Sequence, residues 1–243
     1  MQDLAVSVCM ATYNGSKYIV QQLESILIQL DSNDEVIITD DFSTDGTVSL
    51  IKKIGDSRIK LYKNTENIGV IKTFSRSISL AKGDVIFLSD QDDIWFPYKV
   101  KVILEYFFNN LNTTLCLSDS VIIYKNGNID EQTYFQLREG FKEGVLSNII
   151  KNKYLGCSIA FKRSMLEYIM PFPKNIPSHD MWIGIINSAY GKVGFIEEPL
   201  FNYRRHTENV SSMTHDKIFT MVRWRFIVLY RFFQRVLKIA LSS

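Results

Sequence analysis

The sequence of 243 residues predicts an α/β fold, a mostly parallel sheet flanked by helices with a mixed second half. Three observations lead there. Short apolar runs alternate with amphipathic ones through the first ninety or so residues, the pattern of βαβ units. Each apolar run ends in a turn rich in Asn, Asp, Ser or Gly, and a parallel sheet gathers such turns at one end. Beyond about residue 110 the alternation gives way to a hairpin signal and to prolines.

Taken in order, Ala5 to Ala11 reads as a buried strand closed by Thr12-Tyr13-Asn14-Gly15. Ser16 is placed to cap a helix running to about Leu30, with Ile19, Leu23, Ile26, Leu27 and Leu30 on one face. Glu35 to Thr39 is a second strand, and the polar turn Asp40 to Thr47 leads into a helix carrying Val48, Leu50, Ile51 and Ile54. Ile59 to Tyr62 makes a third strand, and Asn64 to Gly69 opens a helix over Ile71 to Ala81. The fourth strand follows Gly83-Asp84 and runs straight into Ser89-Asp90-Gln91-Asp92-Asp93-Ile94-Trp95. A helix is expected from Pro97 to about Asn110, then a strand from Thr114 to Tyr124 with a hairpin-type turn over Lys125 to Asn128. Gly156 to Phe161 reads as another buried strand. After Pro171, Pro173 and Pro177, Ser178 can cap a helix whose first turn holds Asp180.

Three carboxylates within four residues at the end of an apolar strand need explaining, because like charges so close repel. A hard divalent cation, Mg2+ or Mn2+, accounts for them. A solvated acidic turn capping the next helix is the alternative, and the strand before it is very apolar for an ordinary surface turn. In parallel sheets ligands bind at the carboxyl ends of strands, so Tyr13, Asp41 and Asp90 to Asp93 should converge on one crevice. No GxGxxG follows the first strand and no GxxxxGK[ST] occurs, which weakens the dinucleotide and P-loop readings.

A net charge of +2 argues against a nucleic-acid partner. Cys9, Cys116 and Cys157 sit in apolar runs without CxxC or Cys/His spacing, so they read as buried thiols of a reducing compartment and not as zinc ligands. The N-terminus lacks the pattern of a signal peptide, and the expected location is cytoplasmic.

The Thr-Tyr-Asn-Gly turn, Thr-Asp-Asp-Phe-Ser-Thr-Asp-Gly-Thr, Asn-Ile-Gly, Asp-Gln-Asp-Asp and His-Asp-Met-Trp, in this order over about residues 5 to 210, resemble the family 2 glycosyltransferases. The Ser-Asp-Gln-Asp-Asp-Ile-Trp form is most similar to bacterial enzymes building O-antigen, capsule or rhamnose-containing polysaccharide. The resemblance implies a GT-A fold over 1–215 and an inverting, metal-dependent transfer from a nucleotide-sugar donor, a UDP- or dTDP-sugar such as dTDP-rhamnose or a UDP-hexose. The implied acceptor is a saccharide, free or lipid-linked.

By position, the resemblance implies that Tyr13 stacks on the pyrimidine while Ala11 offers backbone, and that Asp41 accepts from the base N–H. It puts Asp90 on the ribose, Gln91 among the donor-binding residues, Asp92 on the metal with Asp93 beside it, and Asp180 as general base. His206 matches a late family histidine that can reach metal or diphosphate, or else is a loop histidine beside Arg204 and Arg205, which could meet phosphate charge. His179 stands where relatives often have an acid; it has either a chemical role or that of a polar surface residue. A phosphohydrolase using Asp-x-Asp, and a non-catalytic sugar-nucleotide-binding module, are the competing readings. Against the first, the pair falls on the fourth strand, with Ile94 where such phosphatases carry Thr or Val; against the second, Asp180 is present.

The last stretch, 216–243, reads as an amphipathic helix. Phe219, Val222, Phe226, Leu229, Phe233, Val236 and Ala240 share one face, while Lys217, Arg231, Arg235 and Lys238 cluster on another, with Arg225 off the pattern. Cations every few residues exclude a spanning helix. It is expected either to lie on an anionic membrane surface, which would make the protein peripheral on the cytoplasmic face, or to pack on the domain.

Overall fold

In the computed structural model, which describes residues 4–206 and 218–241, the parallel half is laid down by β1 (Val6–Thr12), α1 (Ile19–Leu27), β2 (Glu35–Asp40), α2 (Thr47–Ile54), β3 (Ile59–Lys63), α3 (Val70–Ser79) and β4 (Val85–Ser89). The mixed half follows with β5 (Ile94–Trp95), α4 (Lys99–Asn109), β6 (Leu115–Tyr124), α5 (Tyr134–Leu137), α6 (Val145–Ile150), β7 (Ile159–Lys162), α7 (Leu166–Ile169), α8 (His179–Tyr190), β8 (Val193–Arg205) and α9 (Ile218–Ala240). All eight strands join one sheet in the order β3-β2-β1-β4-β7-β6-β8-β5. β1, β2, β3 and β4 pair in parallel, β7 runs antiparallel to β4 and β6, and β8 is parallel to β6 but antiparallel to β5.

Helices cover both faces of the first half, so its central strands are buried on both sides and read as continuous apolar runs. Val8, Cys9, Met10, Val36, Ile37, Ile38, Ile86, Phe87 and Leu88 are all fully buried. The chain builds outward from β1 to β3 and returns to β4 on the other side of β1, which makes the β1/β4 boundary the point where crossover direction reverses. Crevices open at such points beyond the carboxyl ends of the strands.

Several local expectations are corrected. Ser16 caps no helix: its N–H donates to Asp45 Oδ2 at 3.0 Å, and α1 starts at Ile19 after Tyr18. The cause is tertiary, because Asn14 and Gly15 also donate their N–H groups to Ser43 Oγ and Thr47 Oγ1, tying this turn to the one after β2. Gly156–Ser158 is a 3-10 turn, and the strand begins only at Ile159. Ser178 precedes α8 without a side-chain cap. The three cysteines are buried and free of disulfides.

β8 is a long strand that the pattern hides, since Glu197-Glu198-Pro199 interrupts it. Its partners on β6 slip twice: from Ser118 to Asp119 the β8 partner moves from Ile196 to Pro199, and from Asp119 to Val121 it moves to Asn202. Extra residues of this kind bend a strand. The bent end of β8 pairs with β5, directly after the acidic turn.

α9 docks on the domain by one side. Val228 is buried, Leu229 and Phe232 pack on the core, Arg225 donates to Ile150 O, and Arg235 donates to the carbonyls of Tyr168, Met170 and Pro171. Leu229 and Arg235 thus sit on a different side from the one expected. Arginines that donate to backbone carbonyls belong in an interface, which charge patterning alone cannot reveal. Lys217, the segment Thr207 to Ser211 and the expected boundary at 215/216 lie outside the described residues. No helix among the described residues is long and apolar enough to cross a membrane.

Candidate active site

The turn after β4 carries Asp90, Asp92 and Asp93, and only Asp90 is more than marginally exposed. Burial and the neighbouring Asp92 and Asp180 charges push the Asp90 carboxyl up to about 7. Burial, then Asp92 and Asp90, push Asp93 well above the carboxylate range, and burial raises Asp92 in spite of His206. Asp93 Oδ1 accepts from the Arg204 N–H at 3.1 Å. Its Oδ2 is buried without a conventional partner, the weakly donating Cys157 thiol aside.

β8 closes this turn from across the sheet. Beyond the backbone bond to Asp93, Arg204 Nε donates to Asp92 O at 2.7 Å and Nη2 to Gln21 Oε1 at 3.0 Å, and the guanidinium lies over the Tyr18 ring. The next residue but one, His206, brings Nε2 to 2.8 Å from Asp92 Oδ2 and stacks on Tyr18. The two residues expected at the metal, far apart in sequence, are therefore in contact. Together they offer one carboxylate and one imidazole, and the next residue, Asp93, has a buried Oδ2 whose neighbouring donor is the Cys157 thiol. These residues fit Mg2+ or Mn2+. Among the described residues, the three that bring ligand atoms within 4.8 Å of one another are Asp90, Asp93 and Cys157, a group without Asp92 or His206. Burial and the adjacent carboxylates hold the Cys157 thiol protonated, so the oxygens are the ready donors.

Two members of this cluster escaped the sequence reading. Lys99 is fully buried, donates to Cys157 O at 2.9 Å, and lies 4.3 Å from the Trp95 ring centre and 4.0 Å from that of Phe201. Burial pulls its ammonium down to about 8, against the opposing pull of Asp93 and Asp90. The available signal was a lysine at the first position of α4, where the helix dipole disfavours a cation unless anions lie nearby. The other is Cys157, read only as a core thiol.

The raised carboxyls destabilise the cation-free protein. Asp90 goes from 3.8 to about 7 on folding, so the stability linked to it is present at low pH and is lost as pH rises through about 7. Asp90→Asn is expected to raise the melting temperature relative to wild type, with the gap widening from about pH 4 to 7 and level above. Partial exposure holds the effect to about 2 kcal/mol, roughly 4 to 8 °C for a chain of this size. Thermal melts in chelator across that range check this; a constant gap would refute it.

Across the β1/β4 boundary lies the turn after β1. Tyr13 is 47% exposed, and its backbone is gripped by the Gln91 amide, with Oε1 accepting from Tyr13 N at 2.9 Å and Nε2 donating to Tyr13 O at 3.1 Å. Gln91 thus braces the Tyr13 turn. A Cβ on Gly15 would stand 2.2 Å from Gln91 Oε1, so only glycine admits this brace. Ala11 sits one residue beyond the last β1–β4 pair, Met10 with Ser89. Asp41 is buried and accepts from Asn64 Nδ2, Ile68 N and Gly69 N at 2.8 to 2.9 Å. It anchors the 64–69 loop, whose Gly69 turns at φ +84°. A carboxylate has about four acceptor positions, so these three bonds do not fill it.

Asp180 stands in the first turn of α8, Oδ1 accepting from Met181 N at 2.7 Å, and its charge reaches Asp90. His179 is no surface residue. It is buried, stacks on Phe74 of α3 at 4.1 Å, and has Nε2 partnerless and 3.1 Å from where a Cβ on Gly156 would lie. Burial lowers its pKa despite Asp180, so the ring is neutral and serves as the packing contact that fixes the start of α8.

A parallel half-sheet with an acidic turn at its switch point, continued by a mixed half that folds back over that turn, is the architecture of the GT-A glycosyltransferases. The chain belongs to glycosyl transferase family 2, whose family model matches residues 7–170. It is 37% identical over 216 residues to the dTDP-rhamnosyl transferase RfbG of Shigella flexneri, covering 82% of this chain and 72% of that one. It is 27% identical over 217 residues to the Escherichia coli UDP-Glc:alpha-D-GlcNAc-diphosphoundecaprenol beta-1,3-glucosyltransferase WfgD, covering 87% and 81%. The fold matches S. aureus TarS 1-349 in complex with UDP-GlcNAc at a TM-score of 0.70, 20% identity, and coverage of 93% and 66%. Against uncharacterised mycobacterial relatives the chain spans 60% of their length.

Proposed function

We propose that the protein transfers a sugar, with inversion, from a UDP- or dTDP-linked donor to a hydroxyl of a bacterial surface polysaccharide, on an acceptor carried by a lipid. The observation that carries the reading is the convergence of Asp90, Asp92, Asp93 and Asp180 beside the half-exposed Tyr13 at one switch point. The names of RfbG and WfgD support a rhamnosyl or glucosyl donor and, for WfgD, a diphosphoundecaprenol acceptor.

In this reading Tyr13 stacks on the base, Asp41 uses its remaining acceptor position on the base N–H, and Asp90 holds the ribose. Asp92 and His206, with Asp93 alongside, would hold Mg2+ or Mn2+, which supplies charge neutralisation for the leaving diphosphate. Asp180 accepts the proton of the acceptor hydroxyl while its oxygen forms the new bond to the anomeric carbon. The bond from that carbon to the diphosphate breaks on the opposite face, and the nucleoside diphosphate leaves with the electron pair. Lys99 sits beneath the carboxylates as a fixed countercharge.

A donor screen tests this: nucleoside diphosphate release with dTDP-rhamnose and UDP-hexoses, with Mg2+ or Mn2+, with and without a saccharide acceptor. Acceptor-stimulated release is expected. Acceptor-independent cleavage of phosphate esters would favour a phosphohydrolase, and binding without turnover a non-catalytic module. Tyr13→Ala is expected to raise donor KM about 10- to 100-fold with little change in kcat, since base stacking on an aromatic ring is worth about 1–3 kcal/mol. An unchanged KM would remove Tyr13 from the base pocket.

A further inference from the structure

α9 is held by one side, and the other carries an apolar stripe that docks on nothing among the described residues. Phe219, Val222, Phe226, Tyr230, Phe233, Leu237 and Leu241 are each at least 39% exposed. Their successive spacings of three, four and four residues keep them on one straight stripe, because eleven residues in three turns nearly matches the helix repeat. At 1.5 Å per residue the stripe is about 33 Å long. From Ile218 to Leu241 the chain has Arg223, Arg225, Arg231, Arg235 and Lys238 and no Asp or Glu. Arg225 and Arg235 are spent on docking, while Arg223 is exposed near the stripe.

This charge pattern selects the occupant. A second copy laid against the stripe would bring cations to cations with no carboxylate on either helix to offset them. A bilayer rich in anionic headgroups meets the same surface with matching chemistry: apolar side chains enter the acyl boundary, the Phe and Tyr rings sit at headgroup depth, and the cations face lipid phosphates. We propose that the outward stripe of α9 seats the protein on an anionic membrane surface, with α9 lying in the plane of the interface. Arg235, which pins α9, lies over the ring of Trp182, two residues from Asp180, so the seat is built against the helix that carries the proposed base. The delivery of a lipid-linked acceptor rests on the transfer reading; the membrane seat does not.

The test is flotation of the full chain with vesicles of phosphatidylglycerol and phosphatidylethanolamine at low salt, with phosphatidylcholine vesicles as the comparison and no donor present. Wild type is expected to float with the anionic vesicles and to be released by salt. Combining Phe219→Ser, Phe226→Ser and Phe233→Ser, all outward-facing and so neutral for folding by thermal melt, should cut partitioning at least about tenfold. Arg223→Gln should cut it about fivefold. Failure of wild type to float, or undiminished flotation of the triple variant, would overturn the proposal. So would a stable wild-type dimer that the triple variant dissolves, since the stripe would then be a protein interface. None of these outcomes depends on glycosyl transfer.

Discussion

Asp180→Asn is expected to lower kcat by about 10²- to 10⁴-fold, the usual contribution of a general base and roughly 3 to 5 kcal/mol of barrier. The substitution is mild for the fold. Asn retains the oxygen that accepts from Met181 N, and His179, stacked on Phe74, continues to fix the start of α8. What is lost is the capacity to take a proton. Donor KM should hardly move, because the nucleotide is assigned to Tyr13, Asp41 and Asp90. Steady-state kinetics with the best donor and acceptor decide it. A variant with near-normal kcat takes Asp180 out of the mechanism. One that loses donor binding makes it a substrate-holding residue. The neutral, enclosed His179 is then poorly placed to act instead, since its ring is packed on Phe74 and its Nε2 faces Gly156.

Asp92→Asn should be at least as damaging, about 10³-fold in transfer, with excess EDTA reproducing the loss in wild type. Neutralising charge on a leaving diphosphate is worth several kcal/mol, and Asp92 is the carboxylate that meets His206. Asn keeps an oxygen for the His206 contact, so loss of activity without unfolding would report the missing charge. Because burial and repulsion leave the wild-type cluster strained, the variant should melt at or above the wild-type temperature in EDTA. Full transfer in EDTA would end the metal assignment.

The part of this fold that the sequence makes legible is the part held by local pattern. β1, β2 and β4 are buried on both faces, so their apolar runs and the turns that end them mark both strand and site, and Tyr13 and Asp90 fall at the switch point as expected. What stays hidden depends on partners distant in the chain. Ser16 looks like a cap, but Asp45 takes its N–H. β8 contains two glutamates and a proline because the register shift turns Glu197 and Glu198 out of the ladder and sets Pro199 opposite Asp119. Lys99 looks like a surface cation until Trp95, Phe201 and the carboxylates enclose it. α9 is recognisably amphipathic, yet its docked side is partly arginine.

The pairing of β5 with β8 sets an order of events in the making of the protein. The acidic turn leaves the ribosome early, but Arg204, whose N–H meets Asp93, comes 111 residues later, or roughly ten seconds of synthesis at typical rates. Until then the carboxylates have neither that backbone bond nor His206, and the loop that joins them to β8 remains open. A nascent or prematurely terminated chain therefore has the parallel half without the β8 contacts to the acidic turn. The contacts that tie the acidic turn to β8 form only when the second half has folded back across the sheet.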